Sequence, residues 1–164
     1  MDLLQISLML STLLCSLVAG FVLAFAIVVM PGIRSLNDYD FLQAFKVIDR
    51  VIQNNQPIFI LVWLGSILGL VTLTLISIFQ LDGVNRLLIG IAVAIYLLGV
   101  QLPTFTINVP LNNRLQMQKL DAMTDLALRE ARMNFEPRWI RWNAFRTVFA
   151  TLTSVLLIIL IFEL

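Results

Sequence analysis

The chain has 164 residues, 60% apolar and 13% charged, with a mean hydropathy of +0.95, which is too apolar for a soluble domain of this length. A net charge of +1 gives no reason to expect nucleic acid as a partner. With no histidine and a single cysteine, Cys15, the usual proton shuttle at neutral pH, the commonest metal or haem ligand, an intramolecular disulfide and a two-cysteine redox relay are all excluded.

Charge-free runs set the architecture. No charged residue interrupts Leu3 to Ile33, Val51 to Leu81 or Leu87 to Asn113. A fourth run, Thr147 to Phe162, reaches spanning length by borrowing Asn143 to Arg146. A helix crosses the hydrocarbon core with ~20 apolar residues, and a central charge costs about 2.5–3.5 kcal/mol on the insertion scale. The expectation is a single all-α membrane domain over residues 1–164. It is a four-transmembrane-helix bundle with spans at about 4–30, 57–79, 87–108 and 142–161. Amphipathic or polar helical connections lie on one side.

Span one begins without a basic residue and continues apolar beyond Ala24-Phe25-Ala26, so it reads as a retained span rather than a cleaved leader. Met30-Pro31-Gly32 should end it. In the next connection, Asp38 or Asp40 is placed to cap an amphipathic helix. Its apolar positions Phe41, Leu42, Phe45, Ile48, Val51 and Ile52 recur at helical spacing, with Lys46, Asp49 and Arg50 between them. Such a helix suits the membrane interface. Span two comes after Asn54-Asn55-Gln56-Pro57, and the turn around Asp82-Gly83 is short enough only for a hairpin to span three. The second long connection carries a polar helix-like stretch from Asn113 to Met133, and span four closes the chain.

Lysine and arginine favour one side nine to one. The two long connections hold Arg34, Lys46, Arg50, Arg114, Lys119, Arg129, Arg132, Arg138 and Arg141, whereas the tails and hairpin hold only Arg86. Cytoplasmic loops collect these residues. The expected location is therefore the plasma membrane, multi-pass, with both long connections cytoplasmic and both termini outside. Ser7, Ser11, Cys15 and Ala19 recur every four residues, and Gly65 and Gly69 form a small-residue pair in span two. Small residues let helices approach closely in lipid; packing within the chain is the primary reading and a homo-oligomer seam the alternative.

Polar residues gather where spans three and four meet the cytoplasmic side. Gln101, Thr104, Asn108 and Asn112 fall on one face of a continuing helix, with Pro103 and Pro110 expected to kink it. Asn143, Thr147, Thr151 and Ser154 form a stripe in span four, with Arg146 alongside and Trp139 and Trp142 at its entry. Unpaired amides are expensive in a bilayer, so they should face the bundle or a water-filled cavity. The ligand-binding candidates are Gln101, Asn108, Asn112, Asn113, Trp139, Trp142, Asn143, Arg146 and Thr147. The plain alternative for the tryptophans is an interfacial belt, for Arg146 snorkelling to phosphates, and for the asparagines bridging between helices. No metal ligand set is present.

Four segments resemble those of the anthrone oxygenase-like family of small four-span membrane proteins. They are Val28-Val29-Met30-Pro31-Gly32, and Asp40 to Phe45 leading to Asn54-Asn55-Gln56-Pro57. The others are Asn108-Val109-Pro110-Leu111-Asn112-Asn113-Arg114-Leu115 and Trp139-Ile140-Arg141-Trp142-Asn143-Ala144-Phe145-Arg146-Thr147. The resemblance implies a membrane oxidoreductase that oxidises an anthrone to an anthraquinone with dioxygen and no cofactor, although most members have no established activity. Two readings stand side by side. The first is a cofactor-independent oxygenase-like enzyme acting on a hydrophobic phenolic or quinone-like aromatic molecule. In it Arg146 stabilises an anion, Asn108 and Asn112 hold a carbonyl, and Trp142 stacks on the ring. The second is a non-catalytic protein that binds lipid or a partner membrane protein. The absence of an intramembrane carboxylate weighs against catalysis.

Overall fold

The computed structural model describes residues 2–164. All regular structure among them is helical: α1 (Leu3–Arg34), α2 (Asp38–Gln53), α3 (Pro57–Gln80), α4 (Gly83–Gln116) and α5 (Asp125–Glu163). The four helices other than α2 are long and apolar enough to cross a membrane, so the chain is an all-α, multi-pass membrane protein. Helices α1 and α4 each pack against both α3 and α5, which makes consecutive long helices neighbours around a four-helix bundle. The chain ends meet: Gln5 Nε2 donates to the Leu164 carbonyl oxygen at 3.4 Å. Leu61 is 69% exposed and Leu98 65%. An apolar girdle of this kind would aggregate in water and is at home in lipid.

Because lipid tails are as apolar as leucine, the bundle interior is held by close packing rather than by escape from water. Ser7, Ser11, Cys15 and Ala19 are all buried in α1. A Cβ added to Gly69 would lie 3.0 Å from Ser11 Oγ, and one on Gly65 would lie 3.2 Å from Leu14 Cδ1. The small-residue seam therefore joins α1 to α3 within the chain. Helices α4 and α5 approach more tightly still, since a Cβ on Gly99 would meet Phe149 Cγ at 2.4 Å. Between α3 and α4, Ser66 Oγ and the Tyr96 hydroxyl pair at 2.6 Å, so neither buried hydroxyl is left bare in lipid.

One proline acts differently from expectation. Pro31 does not end α1, which runs on to Arg34, and neither Pro103 nor Pro110 breaks α4. Each is preceded by a π-helical turn: Phe25–Val29, Leu97–Gln101 and Thr104–Asn108. In all three, the residue just before the proline donates its N–H five residues back, Met30 to Phe25, Leu102 to Leu97 and Val109 to Thr104. A proline lacks the N–H of the normal ladder and its ring crowds the carbonyl four residues back. Widening the preceding turn relieves both problems and lets the helix continue.

At the end of the bundle away from the termini, α2 lies across α4 and the first half of α5. Its N-cap is Asn37, whose side chain accepts from the Asp40 N–H, while Asp38 and Asp40 sit in the first turn. The cap is thus Asn37 and neither of the expected aspartates. Phe41, Leu42 and Phe45 are buried against Leu111, Leu115, Leu128 and Phe135 in a second apolar cluster. Where water is the alternative environment, each large side chain so buried stabilises by about 1.5–3 kcal/mol. Arg132 fastens this layer. Its guanidinium donates to the Arg34 and Leu36 carbonyls at 2.8 and 2.9 Å, pairs with Asp38 at 3.1 Å and Glu136 at 2.7 Å, and lies 4.2 Å over the Phe41 ring. The polar stretch expected from Asn113 to Met133 is not one helix. It breaks after Gln116, makes a short turn at Leu120–Ala122 and restarts at Asp125, where the Thr124 side chain caps α5. That break lets Leu120 reach the second cluster.

Candidate functional site

Where the two apolar clusters meet, α1, α2, α3, α4 and α5 surround a cavity of about 200 Å³. Two of the π-turns deliver side chains to it, Phe25 from the first and Thr104 and Asn108 from the third. Aromatic rings form much of its wall. Phe21 lies 5.2 Å from both Phe25 and Phe59, Phe59 stacks on Trp63 at 5.3 Å, and Trp139 lies 5.5 Å from Phe25 and 5.2 Å from Phe45. These spacings suit edge and offset contacts between rings. A second cleft of about 410 Å³ shares Phe21, Ile52, Phe59 and Trp63 with the cavity wall. Its outer residues, including Leu17, Val51 and Ile58, are exposed on the apolar surface between α1 and α3.

Polar groups converge on the same cavity, and the Arg146 guanidinium lies 5.9 Å over the Trp139 ring. Arg146 is 5% exposed. It donates from Nη1 to Thr104 Oγ1 at 2.9 Å and from Nη2 to Asn143 Oδ1 at 2.8 Å. Its Nε is buried without a partner, and among the described residues it forms no ion pair. Asn143 is fixed in turn by donating to the Val22 carbonyl at 3.0 Å, so α1 and α5 together aim the guanidinium. Asn108 donates to the Trp139 carbonyl at 3.5 Å, a long contact, and its Oδ1 is buried without a donor.

Asp49 is the surprise. It is 4% exposed and lines the same cavity as Arg146. Asn112 Nδ2 donates to its Oδ1 at 2.7 Å, and Gln53 Nε2 and Gln116 Nε2 donate to its Oδ2 at 2.7 and 2.9 Å. Trp139 Nε1 donates to Asn112 Oδ1 at 2.8 Å, which links the indole to the carboxylate through one amide. Burial pushes the Asp49 carboxyl above the ordinary aspartate value, and the three amide bonds only partly pull it back.

Of the nine candidates, Asn108, Asn112, Asn113, Trp139, Asn143 and Arg146 line the cavity. Three do not. Gln101 is buried but turned toward α3, where its Oε1 accepts from Trp63 Nε1 at 3.0 Å. Thr147 donates back to the Asn143 carbonyl at 2.8 Å, bracing the helix. Trp142 stands on another face of α5 against Phe145, at 5.3 Å, so the ring on the wall is Trp139 instead. The span-four stripe also shifts, since Thr151 is exposed and Thr153 is buried.

Asp49 and the phenylalanine wall were missing from the candidates. A signal for Asp49 exists in the spacing Leu42, Phe45, Asp49, Ile52, which steps by three, four and three and places the carboxylate on the buried stripe of α2. Among the described residues, no group of three His, Cys, Asp or Glu side chains converges to hold a metal.

No curated protein and no solved structure matches the chain. The anthrone oxygenase family model matches residues 45–156, a stretch that contains Asp49, Asn108, Asn112, Trp139, Asn143 and Arg146. Because that match covers more than half of the 164 residues, the chain belongs to the anthrone oxygenase family.

Proposed function

We propose that the protein is a cofactor-independent oxygenase that takes a flat, hydrophobic phenolic molecule of the anthrone type into this cavity. The observation that carries the reading is Arg146, a guanidinium buried in the membrane-spanning bundle with no carboxylate beside it and one N–H unpaired. A charge so placed costs several kcal/mol unless something answers it. An anionic ligand would do so, and the aromatic wall suits a planar one. Such a ligand is the enolate or phenolate of an anthrone. It supplies its own electrons, so the protein has to bind, orient and stabilise negative charge on oxygen. The overall change converts a methylene and dioxygen into a carbonyl and water. Asn108 Oδ1, a buried acceptor without a donor, suits a substrate hydroxyl.

A second reading, a non-catalytic membrane protein that binds lipid or a partner chain, draws support from the cleft of about 410 Å³ open on the apolar surface between α1 and α3. An acyl chain fits its chemistry. Thermal unfolding of the purified protein with a dihydroxyanthrone, its anthraquinone and a fatty acid, combined with oxygen uptake, separates the two. Stabilisation by the aromatic pair with oxygen uptake above autoxidation supports the enzyme. Stabilisation by fatty acid alone, with no uptake, overturns it and leaves lipid binding.

A further inference from the structure

Resting on the oxygenase reading, we propose that Asp49 is the base that removes the substrate's proton, on the wall of the same cavity as Arg146, the group that holds the resulting anion. Asp49 and Arg146 are the only charged residues lining the cavity among the described residues. They come from α2 and α5, elements held together by the Arg132 network and the second apolar cluster. A carboxylate offers about four acceptor positions, and amide donors fill three of them: one at Oδ1 and two at Oδ2. Oδ1 therefore keeps an acceptor position. Three neutral amides fix the carboxylate in place without neutralising it, which is what a base needs and more than helix bridging requires. The network around Asp49 also reaches the protein surface. Gln53, bonded to Asp49 and at 3.2 Å to Asn113, is exposed, as is Asn113.

Protons and electrons balance at each step. Asp49 takes one proton from the methylene carbon of the anthrone, and the electron pair of that C–H bond passes into the ring as an enolate, its oxygen held by Arg146. The enolate gives one electron to dioxygen. The carbon radical and superoxide then couple to a peroxide, which receives the proton from Asp49. Asp49 next takes the second methylene proton while the O–O bond breaks. A carbonyl forms, hydroxide leaves, and hydroxide recovers that proton as water. The carbon loses four electrons and dioxygen gains four.

Besides Asp49, the charged groups of these elements are Arg34 on α1, Asp38, Asp40, Lys46 and Arg50 on α2, Arg86 and Arg114 on α4, Lys119 and Asp121 in the following connection, and Asp125, Arg129, Glu130, Arg132, Glu136, Arg138, Arg141, Arg146 and Glu163 on α5. Lys46 is engaged by the Gln118 carbonyl, Asp121 by Tyr39, and Arg132 by Glu136. Since burial raises the Asp49 carboxyl, its ionised form grows as pH climbs through that raised value. The rate should therefore show an acid limb of unit slope.

The experiment is oxidation of a dihydroxyanthrone by the full chain in nanodiscs, with ordinary and methylene-deuterated substrate across pH. Product binding is monitored by quenching of tryptophan fluorescence. Wild type should show a primary isotope effect and the acid limb. Asp49→Asn should bind anthraquinone as wild type does and lose turnover by about 100-fold or more, the contribution of a general base. Turnover by wild type with Asp49→Asn retaining most of it overturns this inference and leaves the oxygenase reading intact. If Asp49→Asn does not fold, wild type decides alone, because a flat pH profile with no isotope effect overturns the role of Asp49. Absence of wild-type turnover overturns the oxygenase reading itself.

Discussion

Replacing Arg146 by methionine should separate ligand binding from stability. The guanidinium makes two hydrogen bonds, to Thr104 and Asn143, and has no ion-pair partner among the described residues. Removing it orphans Asn143 Oδ1, at a cost of about 1–3 kcal/mol. Thr104 loses less, because its hydroxyl still donates to the Val100 carbonyl at 2.7 Å. Against this, the desolvation cost of a buried charge, several kcal/mol, disappears. The empty protein should therefore unfold within about 2 kcal/mol of wild type, and on the more stable side if the charge outweighs the orphan. Anthraquinone or phenolate binding should weaken by about 10- to 150-fold, the equivalent of a charge-assisted hydrogen bond worth about 1.5–3 kcal/mol. Arg146→Lys should fall between, since it keeps the charge and loses the planar fork, and Arg146→Gln should bind worse than Lys. Thermal unfolding in detergent and fluorescence titration measure the two quantities. Equal affinity in wild type and Arg146→Met, with a stability loss above about 3 kcal/mol, would rule out a ligand-binding role and make Arg146 a structural residue.

Gly99→Ala should destabilise the bundle by about 1–3 kcal/mol, the usual cost of overpacking, since its Cβ would overlap Phe149; Phe149→Leu in the same chain should recover part of the loss in thermal unfolding. Arg132→Gln should cost about 2 kcal/mol through lost charge-assisted bonds to Asp38 and Glu136, with faster proteolysis of the α1–α2 connection and little change in fluorescence of the bundle. For topology, Arg50→Cys and Arg129→Cys should resist an impermeant thiol reagent in intact cells while Asp82→Cys reacts. Native Cys15 is buried and gives no background, and the reverse pattern would invert the proposed orientation.

The spans and the polar end of the bundle were legible because lipid imposes simple rules: long charge-free runs, and amides gathered where they can be paired. Six of nine candidate residues line one cavity for that reason. Direction around a helix was harder. Trp139 and Trp142 are three residues apart, yet α5 is one continuous helix and sends only Trp139 to the wall. Gln101 failed for a related reason, since each π-turn adds a residue and rotates the helix beyond it, so ideal helical spacing misplaces the face. Pro31 read as a stop and Pro103 and Pro110 as kinks, whereas the π-turn before each absorbs the missing donor and the helix continues. Asp49 was hidden by its neighbours, because Lys46 and Arg50 made that face of α2 look solvated. Only packing beneath the Asn112 and Gln116 amides, from a segment more than sixty residues away, shows that the carboxylate is buried.

The most direct measurement is the fate of isotopically labelled dioxygen with a dihydroxyanthrone and the reconstituted protein. One labelled oxygen atom should appear in the new quinone carbonyl and one in water, at a rate proportional to protein and lost in Arg146→Gln. Anthraquinone forming only at the protein-free rate, with wild type folded, would contradict the oxygenase reading.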